Sequence, residues 1–223
     1  MTTERTALEA RAAHHAALAD AARLAVMDEL TLGDRSPSEL QAMLDLPSNL
    51  MAHHLKVLED AGLILRRRSE GDRRRTYLTL VADAPEEPAP APGLRVGRVV
   101  FVCSANSARS QLAAALWRRS STISVASAGT HPAERVSEGA KAAAKRHALK
   151  LTRTKPQRLA DIASADDYIV AVCDNAYEEL GSRVALHWSI PDPVPNGSDA
   201  AFDSAYAELD RRVRRLAPLL TAS

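Results

Sequence analysis

The sequence predicts an α/β protein of two domains in series, a winged helix-turn-helix (α+β) followed by a doubly wound parallel sheet. Three observations predict it. Residues 85–93, PEEPAPAPG, hold four of the chain's twelve prolines, and unpatterned proline-rich segments act as semi-rigid spacers. Before this seam, helical patterns give way to two short strands. After it, a β-branched run opens directly into a cysteine-bearing loop and a helix. The expected boundaries are 1–84 for the first domain, 85–96 for a linker and 97–223 for the second domain.

Composition narrows the class. Of 223 residues, 46% are hydrophobic and 26% charged, the balance of a globular chain. Aromatics are only 4%, so the cores are built from Ala, Leu and Val. No run approaches about eighteen apolar residues, which excludes a transmembrane helix. The opening MTTERTALEARAAHH carries charges where a secretory signal needs apolar residues. Cys103 and Cys173 are too few for a disulfide framework. The expectation is a cytoplasmic protein, without membrane contact, whose cysteines serve chemistry. Net charge is +1. Residues 1–84 hold 11 Lys/Arg against 13 Asp/Glu, and residues 93–223 hold 18 against 13. Neither half is generically basic, so any nucleic-acid contact must come from a local cluster.

In the first domain, the Ala-rich residues 4–31 read as helix, ending near Gly33. Ser36 is a good N-cap for a second helix, Pro37 suits its first position, and Glu39 can close a capping box. That helix stops between Leu44 and Pro47. Ser48 is expected to cap a third, Asn49 to Ala61, ended by Gly62. Leu63 to Leu65 starts a strand, Glu70-Gly71-Asp72 turns, and Thr76 to Leu80 alternates as the return strand. Two helices joined by a tight turn and followed by a hairpin make a winged helix-turn-helix. The hairpin carries Arg66, Arg67, Arg68, Arg73, Arg74 and Arg75 against Glu70 and Asp72. Six arginines beside a helix-turn-helix fit phosphate contacts.

The run His53-His54-Leu55-Lys56-Val57-Leu58-Glu59-Asp60-Ala61-Gly62-Leu63 resembles the ArsR-type repressors, over roughly residues 15–82. The resemblance implies a homodimer, formed through residues 4–31, that reads operator DNA. Its contacts would come from Ser48, Asn49, Met51, His53, His54 and Lys56 on the third helix and Arg73, Arg74 and Arg75 on the wing. Arsenic-sensing members carry closely spaced cysteines on the helix before the turn, and Leu40 to Pro47 has none. Soft trivalent arsenic wants thiolates, so this domain is not expected to sense arsenite there. Adjacent histidines on a helix point about 100° apart, which makes His14-His15 and His53-His54 poor chelates; no metal site is expected.

In the second domain, Arg98 to Val102 reads as a buried parallel strand. It runs into Cys103-Ser104-Ala105-Asn106-Ser107-Ala108-Arg109-Ser110, and Gln111 to Arg118 reads as a helix. Loop amides and the helix dipole aim positive potential at one spot, an anion cradle that also favours a cysteine thiolate. Arg109, six residues after Cys103, can curl back and hold a tetrahedral oxyanion bidentately. Downstream, Val184 to His187 reads as a strand, followed by Trp188-Ser189-Ile190-Pro191-Asp192-Pro193. Asp192, on a proline-stiffened loop, is a candidate acid for a leaving oxygen.

Together these segments, with Ser127-Ala128-Gly129-Thr130 and the strand Tyr168 to Asp174, resemble the low-molecular-weight phosphotyrosine phosphatase family over nearly all of 97–218, specifically its arsenate reductase branch. The resemblance implies a phosphatase-like fold with Cys103 as nucleophile, Arg109 as oxyanion ligand and Asp192 as general acid. Asn106 and Ser110 would shape the loop and stabilise the thiolate, and Ser104, Ala105, Ser107 and Ala108 complete the oxyanion-binding loop. The phosphatase branch follows Asp-Pro with tyrosines; here Val194 and Pro195 follow, and His187-Trp188 belongs with the reductases. The expected function is therefore thiol-dependent arsenate reduction fused to an ArsR-type regulator, with no bound cofactor. The alternatives are a protein-tyrosine or small-ester phosphatase fused to a DNA-binding domain, and a non-catalytic oxyanion-sensing repressor. Thioredoxin-coupled reductases carry two further cysteines where this chain has Ala108 and Leu180. A thioredoxin relay is thus excluded within one chain, which leaves a small thiol (mycothiol or glutathione) with a glutaredoxin-like partner, or Cys173 as resolving thiol.

Overall fold

A computed structural model of the chain describes residues 2–81, 93–152 and 155–223. The chain divides into two compact units, residues 1–69 with 73–89 and residues 90–223 with 70–72. Most of the expected linker 85–96 lies outside the described residues. Its last three, 94–96, are strand instead.

The first unit is helical with one hairpin: α1 (Thr2–Leu18), α2 (Ala21–Leu32), α3 (Pro37–Leu44), α4 (Ser48–Asp60), β1 (Ile64–Arg68) and β2 (Thr76–Leu80). The single helix expected over 4–31 is two. Asp20 takes extended backbone and its carboxylate accepts the Arg23 N–H at 3.0 Å, which starts α2 afresh. The capping box of α3 forms in both directions: Glu39 N–H donates to Ser36 Oγ at 3.3 Å and Ser36 N–H to Glu39 Oε2 at 2.6 Å. Ser48 does not cap α4. Pro47 holds the cap position without a side-chain bond, and Ser48 is the first helical residue. Gly62, at φ +70, supplies the left-handed turn that sends the chain into β1. The hairpin is antiparallel, from Ile64 opposite Leu80 to Arg68 opposite Thr76.

The core of this unit joins Val26 and Leu30 of α2, Leu40 of α3, Met51, Leu55 and Leu58 of α4, and Ile64 and Leu78 of the hairpin. On α4 the buried residues are Met51, His54, Leu55 and Leu58, one helical stripe. The opposite face exposes Asn49, Ala52, His53 and Lys56. This corrects two expected operator contacts. Met51 is 2% exposed and His54 6% exposed, with His54 Nδ1 lying 3.7 Å from the Asp20 carboxylate. A side chain that fills the core cannot also reach a base edge.

The second unit is built on a parallel sheet: β3 (Leu94–Val96), β4 (Arg98–Cys103), α5 (Arg109–Ser120), β5 (Ser124–Gly129), α6 (Glu138–Arg146), β6 (Asp167–Ala171), α7 (Asp174–Leu180), β7 (Leu186–His187), α8 (Pro193–Asn196), α9 (Asp199–Leu216) and β8 (Leu220–Ala222). The main sheet runs β5-β4-β6-β7, all parallel, while β3 pairs in parallel with β8. The strand expected over 184–187 pairs only through Leu186 and His187. Because β4 is central, Val99, Val100, Phe101 and Val102 are all completely buried, and the run shows no alternation. The Phe101 ring lies between two tryptophans, 5.9 Å from Trp117 and 5.6 Å from Trp188. The chain leaves β4 to one side for β5 and returns to the other for β6. The carboxyl ends of β4 and β6 therefore flank a switch point, where open α/β sheets bind their ligands. Among the described residues, no helix is long and apolar enough to cross a membrane.

The burial of Met51 makes a prediction. Met51→Ala should lower the stability of the first unit by about 2–5 kcal/mol, as core methionines do. It should leave base preference unchanged wherever the variant is folded. Thermal unfolding and a binding-site selection on the same variant check both halves.

Candidate functional site

The loop from Cys103 to Ser110 leaves the end of β4 and runs into α5. Its shape is set from outside. Cys103, Ser104, Ala105 and Ser107 give their carbonyls to the backbone N–H groups of Thr130, His131, Ala133 and Ser137, at 3.1, 2.8, 2.9 and 2.9 Å. With the carbonyls engaged outward, the loop amides are left for the concave side. Asn106 takes the left-handed backbone, φ +50. Its side chain is held on both ends: Oδ1 accepts from Gln111 Nε2 at 3.2 Å and from Gln157 N–H at 3.0 Å, while Nδ2 donates to Ser110 Oγ at 2.8 Å.

That last bond orients the site. Ser110 Oγ accepts from Asn106 and lies 3.1 Å from Cys103 Sγ, where its hydroxyl can donate to the sulfur as thiolate. Asn106 N–H donates to the same sulfur at 3.2 Å. Two donors on one sulfur are an environment for a thiolate. Above it opens a cavity of about 110 Å³, lined by Cys103, Ser104, Ala105, Ser107, Ala108, Arg109, Asn175 and Asp192.

Arg109 and Asp192 meet at that cavity. Arg109 Nη1 donates to the Ile190 carbonyl at 2.7 Å and Nη2 pairs with Asp192 Oδ2 at 2.9 Å. Burial works against the guanidinium charge, but the acidic groups around it, the Asp192 and Glu70 carboxylates among them, outweigh it and push the arginine further up. Asp192 caps α8, its Oδ1 accepting the Val194 N–H at 3.1 Å. With Oδ2 on Arg109 and its side chain one-third exposed, the carboxyl is both positioned and reachable by water.

These features agree with the family comparisons. A model of the low molecular weight phosphotyrosine protein phosphatases matches residues 98–223, more than half the chain. The chain belongs to that family. A helix-turn-helix domain model matches residues 18–67, so this phosphatase-family domain is joined to a DNA-binding fold. Among solved structures the chain is similar to an arsenate reductase from Archaeoglobus fulgidus DSM 4304, at 30% identity and a TM-score of 0.46, covering 54% of this chain and 98% of that one. It is similar to the tyrosine phosphatase Wzb from Escherichia coli K30, at 26% and 0.47, covering 55% and 97%. It is also similar to the tyrosine phosphatase AmsI from Erwinia amylovora, at 23% and 0.49, covering 56% and 94%. No curated protein matches the chain.

Within the phosphatase-family domain, the structure brings together Cys103, the loop residues, Arg109 and Asp192. Cys173 is also close. It follows β6, caps α7 by accepting the Ala176 N–H at 3.4 Å, and lies 3.7 Å from Ser104 Oγ. The thiol is completely buried. Burial and the like charge of Cys103 push it above the ordinary thiol range, although Arg109 pulls the other way. In the helix-turn-helix unit, Ser48, Asn49, His53 and Lys56 share the exposed face of α4, and Arg73, Arg74 and Arg75 are exposed on the hairpin. Sequence patterns singled out Ser127-Ala128-Gly129-Thr130 but not its bracing of the loop, and missed the bracing by Gln111, Gln157 and the rest of the 130–137 segment. They also missed Asn175 on the cavity wall. Apart from Gln111, whose partner Asn106 is five residues away, these residues lack a spacing signal because their partners lie far along the chain.

Gly129 shows how tight the bracing is. A Cβ there would stand 2.5 Å from the Ser104 carbonyl oxygen and 3.0 Å from Asn106 N, against backbone that has no room to move. Gly129→Ala should force the loop backbone aside, lower the Tm and, in the protein that remains folded, weaken phosphate binding at least about tenfold. Calorimetric titration with inorganic phosphate measures the effect.

Proposed function

We propose that the phosphatase-family domain reduces arsenate and that the N-terminal unit is an ArsR-type transcriptional regulator, joined for the response to arsenic. The observation that carries the chemistry is the Cys103 sulfur, held by the Asn106 N–H and the Ser110 hydroxyl at the floor of a cavity that also presents Arg109 and Asp192. Cys103 as thiolate attacks the bound arsenate, forming an S–As bond. The As–O bond opposite breaks, and Asp192 gives its proton to the departing oxygen, which leaves as water. Loop amides and Arg109 hold the remaining oxygens through the transition state. Choice of arsenate over an aryl ester is supported by the cavity wall. None of its lining residues is aromatic, and Val194 and Pro195 follow Asp192 where an aryl-binding platform would stand.

The site is reset from outside. Cys173, protonated in its buried cap position, is a poor nucleophile. A small thiol such as mycothiol or glutathione instead bonds to arsenic as the Cys103 S–As bond breaks, and Cys103 is released as thiolate. A glutaredoxin-like partner then attacks the sulfur of that adduct. A disulfide forms, the S–As electron pair passes to arsenic, and arsenite is released. The same first step on a phosphate ester would give phosphatase activity, the second reading that the family match favours.

Two experiments test these proposals. The first compares arsenite formation from arsenate with phosphate release from an aryl phosphate. Wild type should form arsenite, Cys103→Ser should form none, and Cys173→Ser should keep roughly half or more of the wild-type rate with the small thiol. Serine is a good helix cap, so the last variant keeps α7 in place. Ester hydrolysis without arsenite formation would establish the phosphatase instead, and a Cys103–Cys173 disulfide trapped in wild type would establish Cys173 as the resolving thiol.

The second concerns DNA. The exposed face of α4 enters the major groove while the hairpin arginines hold phosphates. Charge reversal at Arg73 and Arg74 should weaken operator binding across sequences and flatten its salt dependence by about one unit of slope per lost contact. His53→Ala and Lys56→Ala should instead change base preference or affinity at the operator. Salt-dependent binding isotherms separate the two classes.

A further inference from the structure

Two lining residues of the cavity come from outside the loop: Asp192 and Asn175. Asn175 lies in the first turn of α7, and its backbone is fixed on both sides. Before it, Cys173 caps the helix through the Ala176 N–H. Its immediate neighbour Asp174 is 2% exposed and accepts a 2.9 Å hydrogen bond from His187 Nε2, itself stacked on Tyr177 at 4.1 Å. Burial works against the Asp174 carboxylate, but the hydrogen bonds from His187, the Glu70 N–H and Ser189 together keep it below its usual range. Asn175 itself is exposed. Such an anchored start fixes the backbone from which Asn175 reaches the cavity wall, with its Oδ1 on the side of Gly71.

The chemistry of the position follows from what faces it. Loop amides and Arg109 can satisfy three oxygens of a tetrahedral anion, so the fourth is directed to the side where Asp192 stands. On an inorganic oxyanion that oxygen carries a hydrogen. On an ester it carries carbon. A carboxamide offers one acceptor and two donors without a charge. It can accept the hydrogen of an inorganic hydroxyl and donate to a neighbouring oxygen, yet it does not repel a dianion as a carboxylate would. An ester oxygen has no hydrogen to give, and its substituent must pass through the space beside the same wall.

We propose that Asn175 is a specificity-determining residue that selects a hydroxyl-bearing inorganic oxyanion over an organic ester at the Cys103 site. The proposal rests on the oxyanion chemistry assigned to that site above, and it extends it to a residue outside the catalytic loop. A site built around a substrate hydroxyl discriminates strongly against analogues that lack it, because its polar groups are then left without partners.

The test uses the full chain and two probes that need no turnover, inorganic phosphate and phenylphosphonate, titrated calorimetrically into wild type and Asn175→Ala. Alanine is a better helix former than asparagine and the position is exposed, so the variant folds. Phosphate affinity should fall about tenfold, while phenylphosphonate affinity stays within about twofold of wild type. In parallel, kcat/KM for arsenate should fall about tenfold relative to that for an aryl phosphate. Equal losses for both probes, or no loss for either, would overturn the proposal. If wild type forms no arsenite but the phosphate-selective loss is seen, arsenate reduction fails as the function while Asn175 keeps its role.

Discussion

Everything at the C-terminal site depends on where the carbonyls of residues 103–107 point. Amide N–H groups aimed at one centre repel one another when no anion is bound, so such a loop does not hold itself together. Here the carbonyls of Cys103, Ser104, Ala105 and Ser107 are tied outward to residues 130–137. Asn106 is pinned by Gln111 and Gln157. The loop thus comes preorganised, and no reorganisation is needed when charge develops on a bound oxyanion. Gly129 belongs to the same device, because the strand it ends must touch the loop backbone without a side chain between them.

The sheet order explains why two thiols with different characters stand near one arginine. β4 and β6 are neighbours and parallel, so their carboxyl ends deliver Cys103 and Cys173 to the same edge. Their environments then differ. Cys103 receives the Ser110 hydroxyl and the Asn106 N–H and faces a cavity. Cys173 is sealed in as a helix cap, where loss of solvation opposes its thiolate. Identical side chains are thereby separated into one that faces the cavity and one that holds a helix end.

In the N-terminal unit the governing constraint is amphipathic. One stripe of α4 must fill the core against α2, α3 and the hairpin, and only the remaining face is available to a partner. The same run of residues therefore supplies both stability and any DNA contact. Which residue serves which end is decided by helix phase.

Much of this was legible in the chain. The Ser36–Glu39 capping box, the Gly62 stop, the presence of the hairpin and the fully apolar β4 all rest on contacts between near neighbours or on unbroken burial, which local patterns report. The strand–loop–helix around Cys103 was legible for the same reason, with Arg109 six residues away on the same turn. Long-range matters were not. That Asp20 breaks the first helix and that Pro47 takes the cap expected of Ser48 turned on single backbone angles. The burial of Met51 and His54 depended on which side of α4 meets the core, and period alone leaves that phase open. The bracing of the loop by Gln157 and residues 130–137, the pairing of Arg109 with Asp192, and the place of Asn175 on the wall join residues tens of positions apart. By itself the sequence determined the two folds and the reactive loop, because those follow from local hydrogen bonding and hydrophobic period. Only the tertiary structure decided which side chains face the anion, because that is set by strand order and by contacts between segments that share no local pattern.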